Sequence, residues 1–220
     1  TAVSMVSNNT DTSKAKVGDV ITISITSDKT LTANPVVTIA ENTATESNTG
    51  GNNYSATYTM QGSDTEGAIS FTVNFTDSNG NAGTQVTTLT SGSAVVFDET
   101  APNISSLSPT DGSTDVSASS NLVITFDDTV QKGTGNVVLY KSDNSVIETI
   151  DVSNAKITVS GSTVTINPTS DMALNTAYYV KIDSGAITDE TGNSYSGITD
   201  TSTWNFTTVN NLDAGFYSVD

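Results

Sequence analysis

From Val20 to Thr26, isoleucine alternates with hydroxyl residues: Ile21, Ile23 and Ile25 point one way, Thr22, Ser24 and Thr26 the other. A period of two is what a strand with one buried and one wet face requires. Tyr54, Ala56, Tyr58 and Met60 repeat the pattern. Ile69, Phe71, Val73 and Phe75 do so again, and the intervening Ser70, Thr72, Asn74 and Thr76 are all polar. Residues 2–7, 36–40 and 84–97 are expected to supply the edge strands, with Gly- and Asn-rich turns between them.

The rhythm breaks after Val95-Val96-Phe97, at Asp98-Glu99-Thr100-Ala101-Pro102, where the charge rises and proline ends ladder pairing. Beyond it the alternation restarts in Leu122, Ile124 and Phe126, and continues in 137–140, 147–152, Ile157 with Val159, Val164 with Ile166, Tyr178 with Val180 and Ile182, and Trp204 with Phe206. No segment of useful length carries a 3.6-residue apolar stripe, so the expected class is all-β, with turns spaced as in a sandwich. The expected division is a first domain over 1–98, a second over 99–209, and a tail or start of a further domain over 210–220. Trp204, the only tryptophan, is expected in the core rather than on a ligand platform.

Composition narrows the function. Twenty-four Asp and Glu face seven Lys, with no Arg, for a net charge of −17. Such a chain lacks the basic footprint of a nucleic-acid or anionic-membrane binder, and no apolar run is long enough to insert into a bilayer. The absence of His and Cys removes the usual general base, the commonest transition-metal ligands and any disulfide framework. At 35% hydrophobic and 14% charged, solubility rests on Thr, Ser, Asn and Gly, the residues of exposed strands and turns.

One string occurs twice: Thr76-Asp77-Ser78-Asn79-Gly80-Asn81 and Thr188-Asp189-Glu190-Thr191-Gly192-Asn193 share T-D-x-x-G-N, about one domain length apart. The stretch from Pro109-Thr110-Asp111-Gly112, through Leu174-Asn175-Thr176-Ala177-Tyr178-Tyr179-Val180 and Asp189-Glu190-Thr191-Gly192-Asn193, to Trp204-Asn205-Phe206-Thr207-Thr208 resembles the SbsA-type bacterial Ig-like domain. More loosely, the first half is similar to the Ig-like repeats of giant bacterial adhesins, on Val17-Gly18-Asp19, Ser63-Asp64-Thr65-Glu66-Gly67 and the closing Asp-Glu-Thr-Ala-Pro. The resemblance implies two tandem immunoglobulin-like Greek-key β-sandwiches, repeat modules of a secreted adhesin or surface-layer protein at the bacterial cell surface. Calcium at domain junctions, neighbouring Ig-like repeats as partners, a monomer, a role in adhesion and biofilm, and no catalytic residues are expected with it.

Hard cations need several oxygen ligands at close quarters. In a seven-strand sandwich the loops sort to two ends. That topology sends Asp19, Asp64 and Glu66 of the first domain towards the end where Asp98 and Glu99 leave, and Asp127, Asp128, Asp189, Glu190 and Asn193 of the second towards the end where the chain enters. Ca²⁺ is therefore expected at this junction, with Asp77 in the corresponding site at the far end of the first domain. The alternative for each residue is a solvated turn, since Asp and Asn cap backbone groups there. The string Asp77-Ser78-Asn79-Gly80-Asn81 is not an EF-hand, because the glycine comes early and position twelve is Thr88. A glycosidase pair such as Asp127 with Asp189 has no apolar pocket or sugar platform to accompany it, so no enzyme is expected. Three functions remain: a calcium-stiffened extender of a large surface protein, a module of the same protein whose loops bind a glycan or host protein, or an enzyme-associated accessory domain.

Overall fold

The computed structural model describes residues 1–210, which form two compact units divided after Thr100. The expected tail over 210–220 lies, beyond Asn210, outside the described residues.

The first unit contains β1 (Ala2–Ser7), β2 (Lys14–Ala15), β3 (Val20–Thr26), β4 (Val36–Ile39), β5 (Asn42–Thr43), β6 (Thr45–Gly50), β7 (Asn53–Thr59), β8 (Gly67–Ala68), β9 (Phe71–Asn74) and β10 (Val96–Phe97). An antiparallel sheet β1-β3-β7-β6 is accompanied by β5-β4-β9, and β10 joins β2 in parallel and β8 in antiparallel fashion. The register explains the alternation in sequence. Ile23 lies opposite Met5 and Ala56, and Ile25 opposite Val3 and Tyr54, so one face of three strands is apolar. These residues are buried with Val37, Ile39, Phe71, Val73 and Phe97 in one core. Each fully buried isoleucine stabilises the unit by about 2 kcal/mol relative to an exposed one.

The second unit contains β11 (Ile104–Ser108), β12 (Ser113–Val116), β13 (Leu122–Phe126), β14 (Val130–Lys132), β15 (Asn136–Lys141), β16 (Val146–Asp151), β17 (Ile157–Ser160), β18 (Thr163–Ile166), β19 (Ala177–Ile182), β20 (Ile187–Asp189) and β21 (Asn205–Thr208). Sheet β11-β13-β18-β17 and sheet β12-β21-β19-β15-β16 enclose the core, with β12 parallel to β21. Trp204 is fully buried there, and its Nε1 donates to the Pro109 carbonyl at 2.8 Å. Tyr178 stacks on Phe206, and Phe126 meets Tyr195 edge-on at 5.2 Å.

One expectation needs correction. Residues 84–97 do not form one edge strand: Val86 makes a single bridge to Val73, Thr90 turns to Val3, and only Val96–Phe97 is a strand. The Ser91-Gly92-Ser93 break, with Gly92 at φ +81°, prevents a continuous ladder. Conversely β6 was not legible: its Thr-Glu-Ser-Asn-Thr-Gly run is polar on both faces because it is an outer strand.

Candidate metal centre

The acidic side chains named from sequence divide by what already holds them. In the first unit, Glu66 follows β7 in the turn leading to β8. Its Oε1 accepts the Glu99 backbone N–H at 2.9 Å and the Thr100 hydroxyl at 2.7 Å. The Thr100 hydroxyl first, and the Glu99 N–H next, hold the Glu66 carboxyl below its ordinary range, with the Asp98 carboxyl beside it. Asp98 Oδ1 accepts the Thr100 N–H at 3.0 Å, and its own N–H donates to Ala15 just past the β2–β10 ladder. Glu99 turns back over Gly62, where an added Cβ would lie 3.2 Å from Glu99 Oε2. The fold of this unit thus brings Glu66, Asp98 and Glu99 together.

Asp64 and Asp19 serve their own turns. Asp64, nearly buried, accepts from Asn42 Nδ2, from the Tyr58 hydroxyl at 3.1 Å and from the Gln61 N–H at 2.7 Å. Burial first, and Asp64 next, push the Tyr58 hydroxyl up. Asp19 Oδ2 accepts from Asn9 Nδ2 at 2.7 Å and the Lys16 N–H at 2.9 Å. Asp77 sits after β9; its Oδ1 takes the Asn79 and Asn81 N–H groups, and Lys29 Nζ lies 3.6 Å from Oδ2. The Asn81 N–H and side chain lower the Asp77 carboxyl most.

In the second unit, Asp127 Oδ1 accepts the Asn103 N–H at 2.7 Å while the Asp127 N–H donates to the Asn103 carbonyl, fixing the start of β11. Asp128 Oδ1 accepts the Thr129 N–H. Asp189 is buried, at 1% exposed, and its Oδ1 accepts three N–H groups: Thr191 at 2.8 Å, Gly192 at 2.6 Å and Asn193 at 2.8 Å. Asn193 Nδ2 adds a bond to Oδ2 at 2.9 Å. The pairing of β14 with β20 sets Asp189 across from Val130, two residues beyond Asp128, and Gln131 Nε2 clamps the Asp189 carbonyl at 2.9 Å. Asp127, Asp128, Asp189 and Asn193 therefore share one end of this unit.

The two T-D-x-x-G-N strings fold alike. A bridge closes each, Thr76 to Ala82 and Thr188 to Ser194, and the Asp N–H donates to the Asn carbonyl in both. Gly80 and Gly192 take φ values of +84° and +93°, which the carboxylate-centred loop requires. The loop is first a turn built around its own anion. As a donor set, the carboxylates and amide oxygens offer a cation oxygen alone, the chemistry that suits calcium rather than a transition metal.

Two features escaped the sequence reading. Asp11, Asp143, Asp151 and Asp200 each accept both the N–H and the hydroxyl of the serine two residues on. The Asp-x-Ser spacing was the available signal. On the face of β15 and β19 turned away from the core, Tyr140 and Tyr179 stack at 4.8 Å with planes 5° apart, and Lys181 Nζ stands 5.9 Å from both ring centres. These tyrosines look like isolated strand positions until the register places them opposite each other.

Two facing antiparallel sheets with strands that cross between them, β12 parallel to the last strand, and loops rather than a cleft carrying the polar groups define the second unit as an immunoglobulin-like Greek-key sandwich. A model of the bacterial Ig-like domain family matches residues 98–208, half of the chain, and the protein belongs to that family. Among solved structures, the fibronectin(III)-like modules of Clostridium thermocellum CbhA are similar at 14% identity and a TM-score of 0.30, over 99% of this chain and 100% of that one. The mouse nectin-like molecule 4 ectodomain is similar at 10% identity and 0.34, over 99% and 66%. Bacteroides ovatus SGBP-B, solved with a mixed-linkage heptasaccharide, is similar at 12% and 0.27, over 93% and 45%. No curated protein matches the chain significantly.

Proposed function

We propose that this chain is an extender segment of a large secreted protein at the bacterial cell surface, stiffened by calcium where its two units join. The observation that carries the reading is the shortness of the hinge. Thr100 is held to Glu66 in the first unit and Asn103 to Asp127 in the second, leaving only Ala101 and Pro102 between the anchors. Proline fixes one of the few free torsions of that hinge. A linker this short transmits orientation, where a Gly/Ser linker would let the units tumble. Carboxylates flank it on both sides, Glu66, Asp98 and Glu99 before it and Asp127, Asp128 and Asp189 after it. A shared divalent cation would offset their repulsion and pin the remaining rotation, its oxygens coming from those residues and Asn193.

The test is calcium chelation of the whole chain. The expected result is a lower melting temperature and a broader distribution of dimensions by small-angle X-ray scattering, both restored by added calcium but not by equal ionic strength of sodium. Indifference to chelator in both measurements would sink the calcium clause, and dimensions as broad with calcium as without it would sink the extender clause. The competing reading, a ligand-binding module, has one observation in its favour: the Tyr140–Tyr179 pair with Lys181 on a sheet face. Saturable binding to a glycan or host-protein array, abolished by Tyr140→Ala, would favour it.

A further inference from the structure

Asn79-Gly80 is the single Asn-Gly pair in the chain, and it lies in an exposed loop. Glycine has no side chain to hinder attack by its own nitrogen on the neighbouring asparagine. The Asn79 side-chain amide takes no hydrogen bond, so nothing holds its carbonyl carbon away. Two bonds oppose reaction. The Gly80 N–H donates to the Asp77 carbonyl at 2.9 Å, and the Asp77 carboxylate holds the Asn79 and Asn81 N–H groups at 3.0 and 2.9 Å. The equivalent loop of the second unit has the same backbone geometry but carries Thr191-Gly192 in these positions and lacks the reactive amide.

We propose that Asn79 is a site of spontaneous deamidation through a succinimide, at a rate set by how firmly Asp77 holds the loop. The Gly80 nitrogen loses its proton to solvent base and attacks Asn79 Cγ. The Cγ–Nδ2 bond breaks, and the amide nitrogen leaves as ammonia. Water then opens the five-membered ring at either carbonyl, giving aspartate or isoaspartate at position 79. The balance is amide plus water to acid plus ammonia, with no oxidant or reductant. Opening to isoaspartate adds a backbone carbon inside the turn that the Asp77 N–H to Asn81 carbonyl bond closes. Either product sets a second carboxylate beside Asp77, which a single exposed lysine, Lys29, now neutralises. The modification therefore loosens the loop of the first unit and leaves that of the second intact.

The experiment ages the full chain at mildly alkaline pH and follows position 79 by peptide mass spectrometry that separates isoaspartyl from aspartyl peptides. The wild type should convert at Asn79 ahead of every other asparagine. Asn79→Thr, which copies the second unit, should yield no product in this loop. Asp77→Ala should convert about fivefold faster, the factor expected from losing a side-chain cap. Should that variant fail to fold by circular dichroism, Asp77→Asn keeps an acceptor oxygen and should convert at an intermediate rate. Absence of product at Asn79 in the wild type and in both Asp77 variants would overturn the proposal. Equal rates in wild type and the folded Asp77 variants would overturn the role of Asp77.

Discussion

Asp189→Ala is expected to destabilise the second unit by about 3 kcal/mol. Three N–H groups lose the carboxylate at once, and they are not equally placed to recover. Gly192 keeps the Asp189 backbone carbonyl at 3.3 Å, and Asn193 is half-exposed and can turn to water, so each costs no more than the net value of a bond, about 1 kcal/mol. Thr191 is buried, and its N–H loses the carboxylate away from bulk water, at a cost of about 1–3 kcal/mol. The Asn193 side-chain bond is lost as well. The assay exploits the single tryptophan: Trp204 is fully buried in the second unit, so its fluorescence during urea unfolding reports on that unit. The slope of the transition should be unchanged while its midpoint falls. Asp189→Asn retains an acceptor oxygen for the same three donors and should lose about half as much. A loss under about 1 kcal/mol for the alanine variant would refute the reasoning, because it would mean that the loop repacks without its central anion.

Two further outcomes test the account of the fold. Ile23→Ala removes a fully buried side chain from the first core and should cost that unit about 3 kcal/mol, seen by circular dichroism. With both proteins in chelator, the Trp204 fluorescence midpoint of Ile23→Ala should equal that of the wild type, and an equal shift there would contradict two separate cores. Acid should also destabilise the protein. The hydroxyls of Ser13, Ser145, Ser153 and Thr203 are the foremost cause holding the carboxyls of Asp11, Asp143, Asp151 and Asp200 below their ordinary value of 3.8. A depressed folded pKa favours the ionised folded form, so this stability is present above pH 4 or so and is lost as pH falls through the depressed values. The melting temperature should be level from about pH 7 to 5 and fall below about pH 4; a melting temperature that holds to about pH 2 would contradict these caps.

The core was legible because burial and strand geometry write the same period. Ile21, Ile23 and Ile25 had one available arrangement, and the neighbours they meet, Met5 and Val3 on one side and Ala56 and Tyr54 on the other, carry the same alternation. Where a strand buries nothing, as in Thr45–Gly50, only its hydrogen bonds define it, and those leave no mark on side-chain choice. Tyr140 and Tyr179 were hidden for a different reason, since their pairing depends on a register between strands distant in sequence.

The acidic residues show why position was easier to read than purpose. An aspartate that caps a turn and one that ligates a cation are chosen for the same oxygen, and both favour Gly- and Asn-rich loops. What separates them is whether backbone N–H groups have already taken the lone pairs. Asp64 has spent both oxygens on Asn42, Tyr58 and Gln61, and Asp19 has given Oδ2 to its own turn. Glu66 accepts through Oε1, Asp127 through Oδ1 from Asn103, and Asp128 through Oδ1 from Thr129. Asp143 and Asp151 also accept through one oxygen, so what sets Glu66, Asp127 and Asp128 apart is their place beside the hinge rather than their bonding. Asp189, with three N–H groups on Oδ1 and Asn193 Nδ2 on Oδ2, stands with Asp64 as a turn anchor, and a cation would have to share oxygens that are already hydrogen-bonded. The same bonds mean that removing calcium should slacken the hinge without unfolding either sandwich. That separates loss of stiffness, read by scattering, from loss of structure, read by circular dichroism.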